Sequence, residues 1–254
     1  YLRLRAVIGV ALNQTLGDTY SNVITLPSVK ATIPDAKFTD NLFLIGSSIQ
    51  TPWESWKPIP QVQGLDGEYY GIIYVPAGGE FNWGSEINDK LGINQIKEIN
   101  DVAGAGITAG DDQNLKVANA GWYTLHFKGK ISKDKKNINW TLTVYKTQVC
   151  LIGGCIGQSA WGFADENALT PPDNQNGEWI SPAFTASSEL RVSVKVGDIE
   201  WWRTEFTIYK GDVFWRIKDM AKGWEDNVGK EYSVKPGVGT KLYVNFDTNK
   251  AEVK

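Results

Sequence analysis

Along most of the chain, hydrophobic and polar positions alternate in short runs broken by Gly, Pro, Asn and Asp. Successive side chains of a β-strand point to opposite faces, so this pattern predicts many short strands. Helical periodicity is scarce, and a turn or two of helix is expected only around 87–101. The first runs, about 1–10 and 20–32, predict two strands joined by the turn-rich NQTLGD. Two strands alone are marginally stable in water, so these are expected to pair with strands outside this chain. The alternation begins at once, at Tyr1-Leu2-Arg3-Leu4, which reads as a piece of a longer or processed protein. Pro34-Asp35 then interrupts it, because proline cannot continue a central strand and holds its predecessor extended.

From Asn41 the pattern repeats. Leu44-Ile45-Gly46 returns as Leu151-Ile152-Gly153, and each copy leads into a loop with tryptophan: Trp53 and Trp56, then Trp161. Gly67-Glu68-Tyr69-Tyr70 is echoed by Gly177-Glu178-Trp179-Ile180, and Glu80-Phe81 by Glu205-Phe206. Both copies close on similar strands, GWYTLHF at 121–127 and TKLYVNF at 240–246. The shared order of these elements predicts a duplicated module. Only Lys146-Thr147-Gln148 lies between the copies, too short for a flexible tether, so a rigid junction is expected. The charged stretch 132–137 reads as a solvated hairpin tip.

The stretch 197–218, GDIEWWRTEFTIYKGDVFWRIK, concentrates the chemistry. Read as strands, its first run places Trp202, Phe206 and Ile208 on a core face and Trp201, Arg203, Glu205 and Thr207 on the other. Its second run opposes Val213, Trp215 and Ile217 to Phe214, Arg216 and Lys218. Flat indoles beside guanidinium donors suit a neutral, hydroxyl-rich ligand with flat faces, such as a sugar ring. By strand parity Trp201 and Trp202 face the same ligand only if a bulge intervenes.

Eleven tryptophans against one methionine and one histidine exceed what two small cores normally require, which points to aromatic platforms. Trp122, Trp140, Trp179 and Trp224 are nevertheless assigned to packing, and Trp215 leans the same way. The net charge of −3 provides no electrostatic footprint for nucleic acid or an anionic membrane. No apolar run reaches the length of a membrane-spanning helix. Cys150 and Cys155 read as reduced, partly buried thiols, since spacing alone does not establish a disulfide and a metal would need a second ligand cluster.

The LIG-type opening strand, the tryptophan-bearing loop, the WWRTEF run and the terminal KLYVNF strand together resemble the SusE/SusF family of starch-binding outer-membrane lipoproteins. The resemblance covers nearly the whole chain. It implies an all-β architecture: 1–36 as the last strands of a preceding immunoglobulin-like domain, then tandem carbohydrate-binding β-sandwiches at 37–147 and 148–254. It also implies non-catalytic capture of starch and malto-oligosaccharides at the cell surface, in support of an outer-membrane glycan uptake complex. Contact with the membrane would run only through a lipid anchor whose cysteine is absent here, and no cofactor is implied. Carried onto matching positions, the ligand-binding residues are Trp161, Trp201, Trp202 and Arg216 in the second module. In the first they are Trp53, Trp56, Lys57, Trp83 and Lys97. That module lacks the double tryptophan and a counterpart of Arg216.

Two other classes stay open. Glycoside hydrolysis needs two carboxylates across a cleft. Asp198, Glu200 and Glu205, or Glu80 and Glu86, supply carboxylates, but no nucleophile, metal or phosphate motif accompanies them. A structural or adhesive sandwich with buried tryptophans, or a module for another polysaccharide, is the remaining alternative. Asp165-Glu166 and Asp111-Asp112 read as solvated acidic loops rather than calcium sites.

Overall fold

The computed structural model describes residues 5–11 and 14–20 as backbone, and 33–158, 161–217 and 235–254 in full. Two compact units result, Tyr1–Asp35 and Ala36–Lys254. In the first, β1 (Arg5–Ala11) pairs antiparallel with β2 (Gln14–Tyr20). The second strand therefore begins inside the segment expected to turn, and the expected strand residues beyond Tyr20 lie outside the described residues.

The larger unit is all β, with short 3-10 turns and no α-helix among the described residues. Its first half stacks two sheets. One runs β4 (Lys57–Pro60), β3 (Asn41–Gly46), β6 (Glu80–Gly84), β9 (Leu115–Val117) and β8 (Ile107–Ala109). The other runs β5 (Glu68–Val75), β10 (Gly121–Ile131), β11 (Ile138–Lys146) and β7 (Ile96–Asp101). Leu42, Leu44, Phe81 and Trp83 from one sheet meet Tyr69, Ile73, Leu125 and Phe127 from the other in a single core. The segment expected to be partly helical is one 3-10 turn, Ile93–Gln95, running into β7. β7 lies parallel to β11 and so extends the sheet.

The second half is one seven-stranded sheet in the order β12 (Val149–Leu151), β14 (Val192–Val194), β15 (Glu205–Tyr209), β16 (Asp212–Trp215), β18 (Lys250–Val253), β17 (Leu242–Asn245), β13 (Trp179–Ile180). A single register pair, Asp212 with Lys250, joins its two arms, and the sheet wraps there around the second core. Ala168 bridges to Cys150 and Thr170 to Ile180, so residues 168–170 stitch the two outermost strands together. Both cysteines are buried and free, and burial raises the Cys150 thiol to about 11.

The halves share hydrophobic surface. Along β5, Tyr69, Ile73 and Val75 enter the first core while Tyr70 and Ile72 enter the second. Trp122 of β10 also joins the second core, and its indole donates to the Pro172 carbonyl at 2.9 Å. Polar contacts line the same seam. Lys57 Nζ donates to the Ile72 carbonyl at 2.8 Å and to the Phe246 carbonyl at 2.6 Å. Gln50 and Gln175 both donate to Asp247. His126, on the face of β10 shared with Trp122, holds Glu68 at 3.0 Å, and this hydrogen bond with Lys128 keeps the Glu68 carboxyl down at about 2.

The stem of Lys57 keeps some exposure, but its ammonium is enclosed, and burial lowers it from 10.5 to about 8 against the pull of Asp247. Between those two values the unfolded chain still holds a proton that the folded chain has released. Stability therefore rises with pH across this window through Lys57, whereas the buried Tyr69 and Tyr70 hydroxyls, raised by burial, act oppositely above pH ~10. Denaturant unfolding at pH 7 and pH 10 should show Lys57→Met losing this rise, a change on the order of 3 kcal/mol relative to the wild type. An identical pH slope in both proteins would show that the ammonium is solvated.

Candidate functional site

Trp161 and Trp201 come together at the end of the second sheet, ring centroids 5.6 Å apart and planes tilted by 34°. Trp161 is 50% exposed and follows β12 after the 3-10 turn Gly153–Ile156. Gly153 has φ +77, and a Cβ there would lie 2.7 Å from the Trp161 ring, so only glycine lets the indole rest on the backbone. Gln158 accepts from the Gly153 amide and donates to the Gly162 carbonyl, tying the turn to the residue after Trp161. Trp201 begins the 3-10 turn Trp201–Arg203. Its carbonyl accepts from buried Ser193 Oγ at 2.6 Å and from the Thr204 amide.

That turn corrects the expected strand through 201–208, because β15 starts only at Glu205. In a 3-10 turn successive side chains diverge by about a third of a circle, which removes the parity conflict. Trp201 faces Trp161, and Trp202, half-buried, lies under the Arg203 guanidinium at 4.2 Å.

Arg216 is not at the surface. It is 1% exposed and its Nη1 pairs with Glu205 Oε1 and donates to the Trp202 carbonyl at 3.2 Å. Glu205, also buried, receives Arg191 Nη1 on both oxygens at 3.0 Å. Burial pushes the Glu205 carboxyl up while the two guanidiniums oppose it. A buried carboxylate needs cations, and Arg216 serves the core instead of a ligand. The polar face expected for β15 is thus interior, since Thr207 is buried as well.

The first-module candidates scatter. Trp53, 37% exposed at φ +59, follows β3 as Trp161 follows β12, and Lys90 Nζ stands 5.0 Å above its ring. Trp56 is half-buried in the same loop. Lys57 is engaged at the seam, and Trp83 is fully buried with its indole donating to the Gly92 carbonyl. Lys97 lies exposed on β7, in a cleft with Lys37, Asn94 and Trp140. Lys90 was missed because it sits in the β6–β7 connection, which carries no motif. Trp122, Trp140 and Trp179 are buried as expected; Trp215 packs on Phe206 and Phe246, and Trp224 lies outside the described residues.

Two of the acids considered for hydrolysis, half-buried Glu80 and buried Glu205, are held in structural contacts. Glu80 accepts from Asn114 and the Asp111 amide, and Glu205 belongs to the core pair just described. Asp165 accepts from Gln148 at 2.7 Å, and among the described residues no cluster of His, Cys, Asp and Glu could hold a metal ion.

Removing Arg216 leaves the buried Glu205 carboxylate with Arg191 as its one remaining cation and strips it of a charged hydrogen bond. Arg216→Met should therefore lower unfolding stability by about 1.5–3 kcal/mol in urea titration. The double variant Glu205→Leu/Arg216→Met should cost less than the two single variants summed, and additive losses would contradict the pairing.

The chain is similar to known proteins in sequence and in fold. A model of "SusF/SusE starch specific CBMs" matches residues 41–139 and 148–252. The outer membrane protein SusF of Bacteroides thetaiotaomicron is 29% identical over 239 residues, covering 88% of this chain and 45% of that protein. The crystal structure of SusF from the same organism superposes with a TM-score of 0.70 at 26% identity, covering 87% of this chain and 48% of that one. The chain spans about half the length of these relatives. With the family model matching most of its length in two successive segments, the chain belongs to the SusF/SusE family of starch-specific carbohydrate-binding modules, a class of binding rather than catalytic domains.

Proposed function

We propose that this chain captures starch without cleaving it, and that the Trp161–Trp201 pair is its principal binding surface. The observation that carries the reading is the mutually tilted indole pair, Trp161 exposed and Trp201 half-buried, on a hydrogen-bonded turn and loop. Rings inclined by 34° suit a glucan chain that curves, as α-linked glucose does, better than a flat ribbon. The segments 37–147 and 148–254 are then two modules and 1–36 the last strands of an immunoglobulin-like domain. Trp53 with Lys90 offers a smaller surface of one indole and one cation in the first module. By analogy with the relative named as an outer membrane protein, the full-length protein works at the outer membrane, and the family resemblance adds a lipid anchor and support of a glycan uptake complex.

A sugar face on an indole gains roughly 0.5–1.5 kcal/mol by analogy with aromatic pairs. Two such contacts with a few hydrogen bonds, less the cost of immobilising the chain, correspond to dissociation constants from roughly millimolar to tens of micromolar. Calorimetric titration with a malto-oligosaccharide should show Trp161→Ala or Trp201→Ala lowering affinity about tenfold or more. Equal binding of β-glucan, or unchanged affinity in both variants, would overturn the reading.

Two surfaces on one rigid unit let a long chain bind more tightly than a short one, if both are engaged together. Trp53→Ala should therefore reduce affinity for the polymer several-fold while leaving affinity for a short oligosaccharide at the second module nearly unchanged. Equal losses for the two ligands would place Trp53 outside any shared engagement.

A further inference from the structure

The turn that carries Trp201 is held from two sides, and one of them belongs to the other module. From its own module, Ser193 and Thr204 fix the Trp201 carbonyl and the turn's exit, Thr204 Oγ1 donating to the Val194 carbonyl at 2.6 Å. From the first module, the loop at 61–65 reaches over. The Gln63 amide donates to the Arg203 carbonyl at 3.2 Å, and Arg203 Nη1 donates back to the Gln63 carbonyl at 2.8 Å. The same guanidinium donates through Nε to Glu200 at 3.0 Å and covers the Trp202 ring at 4.2 Å. Val62 and Leu65 pack into or against the second core on either side of this contact, so the loop is anchored there.

Gly64 makes room for the clamp. At φ +70 its missing Cβ would lie 2.8 Å from Arg203 Nη1. A side chain at 64 would thus be strained by its backbone and would crowd the guanidinium.

We propose that Arg203 is a positioning residue through which the first module sets the orientation of Trp201 in the second, so that glycan affinity depends on the contact between modules. This rests on the reading of Trp161 and Trp201 as the binding pair. A contact gripping both the backbone and the side chain of a three-residue turn restricts its rotation, and an indole at the turn's start moves with it. Platform geometry held in advance spares the ligand the ordering cost.

The test uses the whole chain carrying Trp53→Ala, so that only the second module reports, titrated with a malto-oligosaccharide. Four variants are compared: Trp201→Ala, Arg203→Met, Arg203→Lys and Gly64→Ala, each checked for fold by near-ultraviolet circular dichroism. Arg203→Met keeps the stem but removes the donors and the charge, and should weaken binding about five- to tenfold, the low end of typical coupling between sites. Arg203→Lys retains a cation over Trp202 and a donor for the Gln63 carbonyl, and should recover most of that loss. Gly64→Ala, a change in the first module, should weaken the second module's binding to a similar degree. Should Arg203→Met fail to fold, Gly64→Ala decides alone. Unchanged affinity in Arg203→Met and Gly64→Ala, with Trp201→Ala still damaging, overturns the inference and leaves the binding pair standing. A loss in Arg203→Met without one in Gly64→Ala overturns it too, since Arg203 would then touch the sugar itself. No loss in Trp201→Ala removes the underlying reading and the inference with it.

Discussion

Two-sided burial of strand β5 is the constraint on which the larger unit depends. A strand with apolar side chains on both faces must be covered on both, or it exposes a hydrophobic sheet to water. Here Tyr69, Ile73 and Val75 go to one core, and Tyr70 and Ile72 go to the other, where Val62 and Trp122 join them. Burying an Ile or Val side chain contributes about 1.5–3 kcal/mol, so pulling the halves apart would lose several such increments at once. Gly71 belongs to the same arrangement, since a Cβ there would lie 2.3 Å from Ile59 of the facing sheet. The polar seam of Lys57, Gln50 and Asp247 fixes which carbonyls face which donors, and so sets the register in which the apolar surfaces meet.

The candidate site depends on departures from regular strand. A strand would have sent Trp201 and Trp202 to opposite faces of a sheet, one of them into the interior. A single 3-10 turn instead sends one to its partner and the other under Arg203. Behind the turn lies an interior that is polar where the site needs rigidity, with Ser193, Thr204, Glu205 and Arg216 buried and hydrogen-bonded or ion-paired. Directional bonds restrict a turn more tightly than apolar contact does, and a surface that binds through flat rings gains from that restriction.

Much of the architecture was legible in the residues. Alternation and turn residues located most strands, and the repeat of LIG, GE-aromatic and closing strand marked equivalent places: β5 pairs with β10 as β13 pairs with β17. The echo of Glu80-Phe81 in Glu205-Phe206 was misleading. In space β6 stands next to β3 as β14 stands next to β12, so β15 corresponds to β9. The unbroken run Tyr69-Tyr70-Gly71-Ile72-Ile73 carried the signal of two-faced burial, since a half-exposed strand would have alternated. The site was half legible. Indole clustering pointed to Trp161 and Trp201, but a Trp-Trp-Arg run with strong strand preference hid a turn. Nothing local distinguished Arg216, whose cationic head is in the core, from an arginine at the surface. Its destination is fixed by Glu205, eleven residues earlier in sequence, a contact only the folded sheet creates.

The stitch at residues 168–170 bears on how this surface behaves when crowded. An outermost strand ordinarily presents a row of unsatisfied amides and carbonyls, a template onto which a neighbouring molecule can add its own strand. Here Leu169 donates to the Val149 carbonyl, and Thr170 exchanges both hydrogen bonds with Ile180, so both margins of the seven-stranded sheet are occupied by the same short segment. Copies drawn together along one polysaccharide would meet at very high local concentration. With those margins already filled, this sheet has no outer strand there onto which a neighbouring copy's strand could add.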